Sequence, residues 1–348
     1  MNTNSNFAYY FNSILTKGKK DNTYKFALGR FLLDYSHKLV DSYINAKIEN
    51  DEVESILFSD IARSFLKYYW YQICKYKIKQ NFNPNKLPLI VQIIQNIFGV
   101  NYIPDPFESM DKDKIVYAEK EITKKCFLEV IPRFQNIVDG INAVSNYIFY
   151  EYDKTSIFVK PQALLFFNQN YSFLIKATIL EWAKFLEKIN IGLPMLISKI
   201  EGYERQRRSL GKFKDILIQY FDKCFYCNNN LPSDKQLIHV DHFIPWSYIY
   251  EDEFWNLVLS CKKCNLIKHS SLPSKTFIDR LVKRNKRYSN DIEVLQKSLF
   301  RLDSEEKYKN AIEKHYHNCL DYGFTVQSYN TKFFNNFIDR RKFIVRRK

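Results

Sequence analysis

The sequence predicts a mainly α fold, in which a helical N-terminal region precedes a small metal-stapled module and a helical C-terminal segment. Apolar residues recur at helical spacing through the first half of the chain. Glycine is scarce, with 8 in 348 residues, which disfavours a sheet-rich fold built on tight turns. Two C-x-x-C pairs follow, and they mark the beginning and end of the module.

Residues 1–200 are expected to form a helical domain of unknown role. Its helical stripes are Tyr24, Leu28, Phe31, Leu32 and Tyr35; Ile61, Phe65, Tyr69 and Ile73; and Ile179, Trp182, Leu186 and Ile189. Breakers such as the proline-containing residues 83–85 separate these elements. The aromatic side chains of the stripes are expected to form a core rather than to stack on bases.

The formal net charge of +15 suits a polyanionic partner, because Lys and Arg that neutralise phosphates release condensed counterions. A Lys-rich composition with solvated charges explains the same excess. Basic residues cluster before the first C-x-x-C pair, on a helical stripe after the second pair and at the end of the sequence. They are Arg205, Arg207, Arg208, Lys212 and Lys214; Arg280, Lys283, Arg284, Lys286 and Arg287; and Arg340, Arg341, Lys342, Arg346, Arg347 and Lys348.

Neither a signal peptide nor a membrane span is evident. The first residues are polar, and the best apolar stretch, residues 87–100, is short and interrupted by amides. Of the 7 cysteines, four form the two pairs and three are scattered, which favours metal binding in a reducing compartment over disulfides. We therefore expect a cytoplasmic protein without a membrane partner.

The two pairs, Cys224 with Cys227 and Cys261 with Cys264, predict a Zn²⁺ site of four thiolates. A two-residue gap lets a tight turn present both sulfurs to one ion at about 2.3 Å. Two such turns complete a tetrahedral site whose soft donors select zinc. Because thiolates fill every position, the zinc is expected to be structural. A redox C-x-x-C is the competing interpretation, and the second pair argues against it.

Between the pairs, residues 237–244 predict one strand, and residues 255–260 predict a second. Cys264 is expected to lie in the first turn of a helix. The module then has the order strand, strand, helix, and the zinc joins its beginning to its end. We place this module at residues 201–285, followed by a helical C-terminal segment with a basic tail at residues 286–348.

The residues between the two cysteine pairs, together with the second pair and the residues just after it, resemble the HNH nuclease superfamily, which has the ββα-metal fold. The motifs that carry the resemblance are Asp241-His242 with Pro245, Asn256-Leu257 with Leu259, and Cys261-x-x-Cys264-Asn265-x-x-Lys268. The resemblance extends over residues 220–280. Bacterial restriction and anti-phage HNH nucleases are among the proteins that the chain resembles.

This resemblance implies a role for each motif residue. His242 would be the base that deprotonates water, since neutral His has a pKa of about 6.5. Asn256 would bond to the backbone and hold the loop that carries this base. Asp241 and Asn265 would hold a catalytic Mg²⁺ or Mn²⁺ through hard oxygen atoms. Lys268, one helical turn after Asn265, would contact phosphate.

The third motif position is Asn265 rather than His, an exchange that is common in the superfamily. An amide is a weaker ligand, so His269 is a further candidate metal ligand. It lies four residues on and is expected on the same helical face. The alternative for His269 is a solvated side chain at the surface of the helix.

Together these residues predict a metal-dependent endonuclease that hydrolyses DNA, and the resemblance implies restriction or phage defence. One alternative is a zinc-ribbon nucleic-acid-binding protein without catalysis. Another is an RNA-cleaving or nicking HNH enzyme. A double-strand cut favours a dimer or two successive nicks, so the N-terminal helical region is a candidate surface for a homodimer or a partner protein.

Overall fold

The structure, a computed structural model, describes residues 3–17, 22–83, 85–99, 107–139, 142–144, 147–201, 209–304 and 307–327. In these residues the fold is mainly α with small sheets, as the sequence predicts. The chain divides into an N-terminal unit, Met1–Ile191 with Leu196–Glu204, and a C-terminal unit, Gly192–Met195 with Arg205–Lys348. The finer division into segments 1–200, 201–285 and 286–348 stays a prediction.

Helices make up most of the N-terminal unit. They are α1 (Thr3–Thr16), α2 (Tyr24–His37), α3 (Asp41–Glu49), α4 (Phe58–Trp70), α5 (Leu89–Phe98), α6 (Lys112–Phe134), α7 (Pro161–Gln169), α8 (Tyr171–Glu187) and α9 (Leu196–Glu201). Helix α2 packs against α4, α7 and α8. The ring of Phe26 on α2 stacks on Trp182 of α8, with centroids 6.2 Å apart. The stripes of α2, α4 and α8 therefore form core, because their side chains meet at this packing.

Short strands in the N-terminal unit are the part of its fold that helical periodicity missed. Strands β1 (Glu54–Leu57), β4 (Tyr150–Tyr152) and β5 (Ser156–Val159) form an antiparallel sheet of order β1-β5-β4. Strands β2 (Ile137–Asp139) and β3 (Asn142–Val144) form a separate antiparallel pair. The register places Glu54 opposite Val159, so a distant part of the chain completes the sheet. Strands of three or four residues are too short for an alternating pattern to identify.

The C-terminal unit contains the predicted strand, strand, helix order. Its elements are α10 (Gly211–Tyr220), β6 (Ile238–His242), α11 (Trp246–Ile249), β7 (Leu257–Cys261), α12 (Lys262–Lys268), α13 (Phe277–Tyr288), α14 (Glu293–Leu302) and α15 (Tyr308–Asp321). Strands β6 and β7 are antiparallel, with Asp241 opposite Val258. Leu272 forms a parallel bridge with Val326, so the segment just after α15 pairs with the segment just after α12.

The basic stripe that the sequence predicts after the second cysteine pair lies on α13, and its residues do not all face solvent. Lys283, Lys286 and Arg287 are exposed, as a phosphate-contacting face requires. Arg284 instead turns towards β7, where its guanidinium donates to the carbonyl of Leu257 and, at 3.0 Å, to that of Trp255. Its role here is structural, because it supplies donors to carbonyls at the start of the strand.

Some expected features lie outside the described residues. They are Arg205, Arg207 and Arg208 in the first basic cluster and the basic tail from residue 340 to residue 348. No helix in the described ranges is long and apolar enough to cross a membrane.

We predict that Arg284→Ala lowers the free energy of unfolding by about 2–4 kcal/mol, because it removes the side-chain donor to the Leu257 carbonyl and one of two donors to that of Trp255. The control is Lys286→Ala on the exposed face of α13, with an expected change within about 0.5 kcal/mol. Urea denaturation followed by tryptophan fluorescence measures both variants. Equal losses would contradict the structural role of Arg284.

Candidate active site

Four cysteines meet in the C-terminal unit, as the C-x-x-C pairs predict. The Sγ atoms of Cys224, Cys227, Cys261 and Cys264 all lie within 4.8 Å of one another, and those of Cys227 and Cys261 are 4.0 Å apart. A tetrahedral zinc with bonds of about 2.3 Å separates its sulfurs by about 3.8 Å, so the spacing fits this metal. The group could therefore bind zinc, and its four soft donors would leave the ion no open position.

Local backbone geometry brings the sulfurs together. Cys224 and Cys227 flank a turn closed by the amide of Asn228, which donates to the Cys224 carbonyl at 2.9 Å. Cys261 ends β7, and its amide donates to Cys224 Sγ at 3.4 Å. A hydrogen bond from Cys264 is the largest influence on Cys224, and it lowers the pKa of that thiol to about 5. The same hydrogen bond raises the pKa of Cys264, so the proton between these two thiols is held by Cys264.

Asp241, the expected metal ligand, is a buried carboxylate with two protein donors. The hydroxyl of Tyr226, which lies between the first two cysteines, donates to its Oδ2 atom. The ammonium of Lys268 lies 3.1 Å from the same oxygen. A buried carboxylate needs such partners because it loses its hydration. Tyr226 therefore links the first cysteine pair directly to Asp241.

Lys268, the expected phosphate contact, has a buried side chain with partners inside the protein. The residue is only 1% exposed. Besides Asp241, its ammonium contacts the carbonyl of His242 at 2.7 Å. The reason is that α12 packs on β6, which turns this face of the helix inwards. In this arrangement Lys268 joins the helix to the strand that carries Asp241 and His242.

His242, the expected base, is the last residue of β6 and is 6% exposed. Its Nε2 atom lies 3.0 Å from Oδ1 of Asp252, in the loop between α11 and β7. Sequence reasoning missed Asp252. Residues 251–253 are all acidic, and nothing in their order indicates which carboxylate turns towards the histidine.

Asn256 is fully buried and makes the local backbone contacts that the family resemblance implies. Its Oδ1 atom accepts from the amide of Ile244 at 2.7 Å, and its Nδ2 atom donates to the carbonyl of the same residue at 2.9 Å. The Asn256 carbonyl also accepts from the amide of Phe243 at 2.8 Å. These bonds hold the segment just after His242 against the start of β7.

Asn265 and His269 are not on one helical face. Asn265 is half-buried on α12 and directly follows Cys264, so the cysteine group positions its backbone. Helix α12 ends at Lys268, and His269 has a positive φ of 49° outside the helix. The side chain of His269 is exposed, and its Nδ1 atom lies 3.1 Å from Ser270 Oγ. The expectation of a shared helical face is therefore wrong, because the helix is one residue too short.

Residues 224–274 match the family model described as HNH endonuclease. This match, the β6-β7-α12 order and the cysteine group agree, so this segment is an HNH endonuclease module. A nuclease module of this family implies a nucleic acid substrate. The match includes the cysteine group and lies outside the N-terminal unit. No curated protein and no solved structure matched the chain.

We predict that Cys261→Ser removes zinc from the protein and unfolds the module, because binding energy at a structural metal site is also folding energy. The control is Cys319→Ser, which changes a cysteine of the same unit outside the group. Elemental analysis of zinc per chain and protease resistance of the module measure both variants. Retention of stoichiometric zinc by Cys261→Ser would contradict the four-thiolate site.

Replacing Lys268 with Ala is expected to lower the free energy of unfolding by about 3–5 kcal/mol, since it leaves the Asp241 carboxylate buried without its cation. The matched control is Lys262→Ala, an exposed residue on the same helix. Urea denaturation compares the two variants. A surface role for Lys268 predicts equal, small effects instead.

Proposed function

We propose that this protein is a metal-dependent endonuclease that hydrolyses phosphodiester bonds in DNA. The observation that carries the proposal is the position of His242, beside Asp241 at the end of β6 and paired with Asp252, inside the HNH segment. An imidazole paired with a carboxylate is suited to take a proton from water near neutral pH. A zinc-ribbon binding module has no need of this pair.

His242 is the proposed general base. It takes a proton from water, the water oxygen bonds to phosphorus, and the bond from phosphorus to the 3′ oxygen breaks. Asn256 supports this step by holding the segment after His242 through its two bonds to Ile244. Its own role is positioning, because both polar atoms of its side chain are already bonded to backbone.

A hard divalent cation, Mg²⁺ or Mn²⁺, is the proposed catalytic cofactor. Asp241 and Asn265 offer a carboxylate and an amide oxygen, the donor types that such ions take. When bound, the ion would neutralise charge at the scissile phosphate and on the leaving oxygen. Lys268 contacts Asp241, so it would add a second positive charge beside this site. His269 lies outside the helix and is a weaker ligand candidate than Asn265.

Zinc is the proposed structural cofactor at the four cysteines, and restriction or phage defence is the role that the family resemblance implies. DNA is the proposed substrate. RNA is the alternative, because its phosphodiester bonds permit the same attack by activated water. A cut of both strands at once requires two active sites, supplied by a homodimer or a partner protein. Two successive nicks require only one copy.

We predict that the purified protein cuts DNA with Mg²⁺ or Mn²⁺ and that His242→Ala lowers the rate by at least about 100-fold, because it removes the base. The assay uses plasmid and phage DNA, methylated and unmethylated, with RNA as a parallel substrate and the product ends sequenced. EDTA should stop cleavage, and added Mg²⁺ should restore it without added zinc.

The matched control is His239→Ala, which changes a histidine of the same strand three positions before His242 and outside the proposed machinery. It should cut at the parental rate. Zinc content is measured for every variant, so that loss of the module is distinguished from loss of the base. Unchanged cutting by His242→Ala would refute the assignment of the base. If the protein cuts only RNA, the proposed DNA substrate is wrong and RNA is the substrate.

A further inference from the structure

The contact between His242 and Asp252 has a consequence for which ring nitrogen acts as the base. We propose that Asp252 is a positioning residue that holds His242 as the tautomer protonated at Nε2, so that Nδ1 accepts the proton from water. The contact is 3.0 Å long and joins Nε2 to Oδ1. This inference rests on the proposed nuclease function, and it concerns the orientation and tautomer of the base.

Hydrogen-bonding capacity determines the tautomer. An ionised carboxylate only accepts hydrogen bonds, so the ring nitrogen that faces Asp252 has to donate. A neutral imidazole carries one ring proton, and with that proton on Nε2 the lone pair is on Nδ1. The proton from water then goes to Nδ1, the oxygen bonds to phosphorus, and the proton on Nε2 stays in its bond to Asp252. The resulting imidazolium is stabilised by the adjacent carboxylate.

Burial strengthens this contact. The side chain of His242 is 8% exposed and that of Asp252 is 23% exposed, so water competes weakly for the hydrogen bond. Rotation of the ring would leave Nε2 without this acceptor in a largely buried environment. The contact therefore defines the direction of the ring as well as its protonated nitrogen.

The loop that carries Asp252 is anchored by its next residue. Both carboxylate oxygens of Glu253 bind Arg301, at 3.0 and 2.8 Å, and the hydroxyl of Ser298 donates to one of them at 2.6 Å. Both partners are on α14. The Glu253 carbonyl also accepts from the amide of Asn256 at 2.9 Å. Asp252 thus approaches the ring from a loop whose position is set by other contacts.

The three acidic residues at positions 251–253 have different surroundings in this arrangement. Glu253 is bound to Arg301, and Asp252 contacts His242. Glu251 has the same charge in the same loop and is half-exposed, so it offers a matched control for the charge of the loop.

The experiment compares Asp252→Asn with Glu251→Gln, each of which exchanges a carboxylate for an amide. Single-turnover cleavage, DNA affinity without divalent metal, and zinc content are measured for both. For Asp252→Asn we expect a rate roughly 10- to 100-fold lower, with DNA affinity and zinc unchanged, because the change affects only the tautomer and orientation of the base and the stability of its imidazolium. Glu251→Gln should cut at the parental rate.

A spectroscopic readout tests the tautomer without any cleavage. The chain has 6 histidines, so ¹⁵N-histidine labelling gives few imidazole signals, and His242→Gln identifies those of His242. Two-bond ¹H–¹⁵N correlations then report which ring nitrogen is protonated. The parent and Glu251→Gln should have His242 protonated at Nε2, and Asp252→Asn should populate the other tautomer.

The two readouts separate the two proposals. Parental cutting by Asp252→Asn would overturn the positioning role and leave the nuclease function standing. A slower Asp252→Asn whose His242 signals are unchanged would overturn it too, because the loss would then have another cause. A parent protein that cuts no nucleic acid would refute the proposed function, and the His242 signals would still decide the tautomer.

Discussion

The candidate active site depends on the closure made by four cysteines. A unit as small as two five-residue strands and a seven-residue helix generally needs a metal or a disulfide to hold one arrangement. The thiols of Cys224 and Cys227 meet those at the end of β7 and in α12, so the two ends of the module are joined. Residues adjacent to them take defined positions as a result. Tyr226 lies within the first pair and reaches Asp241, and Asn265 directly follows the last cysteine.

Buried charges then connect the parts that the closure brings together. Asp241 and Lys268 form an ion pair between β6 and α12, so the strand that carries the proposed base is tied to the helix that carries Asn265. Two buried charges lose hydration, and their mutual attraction offsets that cost only when the geometry is good. At the end of the same strand, His242 and Asp252 make a further polar contact, a hydrogen bond between an imidazole and a carboxylate of the following loop. Polar contacts thus orient the site, while the closure limits how far its parts can move apart.

Helices of the N-terminal unit were predictable because helical periodicity is a property of consecutive residues. The stripes of α2, α4 and α8 are buried as predicted, except for the half-buried Tyr35 and Ile189 at their ends. The sheet of β1, β4 and β5 could not be predicted from the sequence, because its strands are short and Glu54 meets Val159 only in the folded chain. The position of Arg284 was also predicted wrongly, because it depends on contacts between distant parts of the chain. Its spacing placed it on a basic face, whereas its bonds to the carbonyls of Trp255 and Leu257 turn it inwards.

From the sequence alone came the mainly α class and the four-cysteine group, because spacing along the chain encodes both. The motif residues Asp241, His242, Asn256 and Asn265 also came from the sequence, through its resemblance to the HNH nucleases. Tertiary structure decided which groups these residues touch. Lys268 bonds to Asp241 and Asp252 to His242 because helix packing and an anchored loop bring them there. His269 falls outside α12 because the helix ends one residue earlier. Spacing specifies the residue types that a site needs, whereas burial and long-range pairing select their partners.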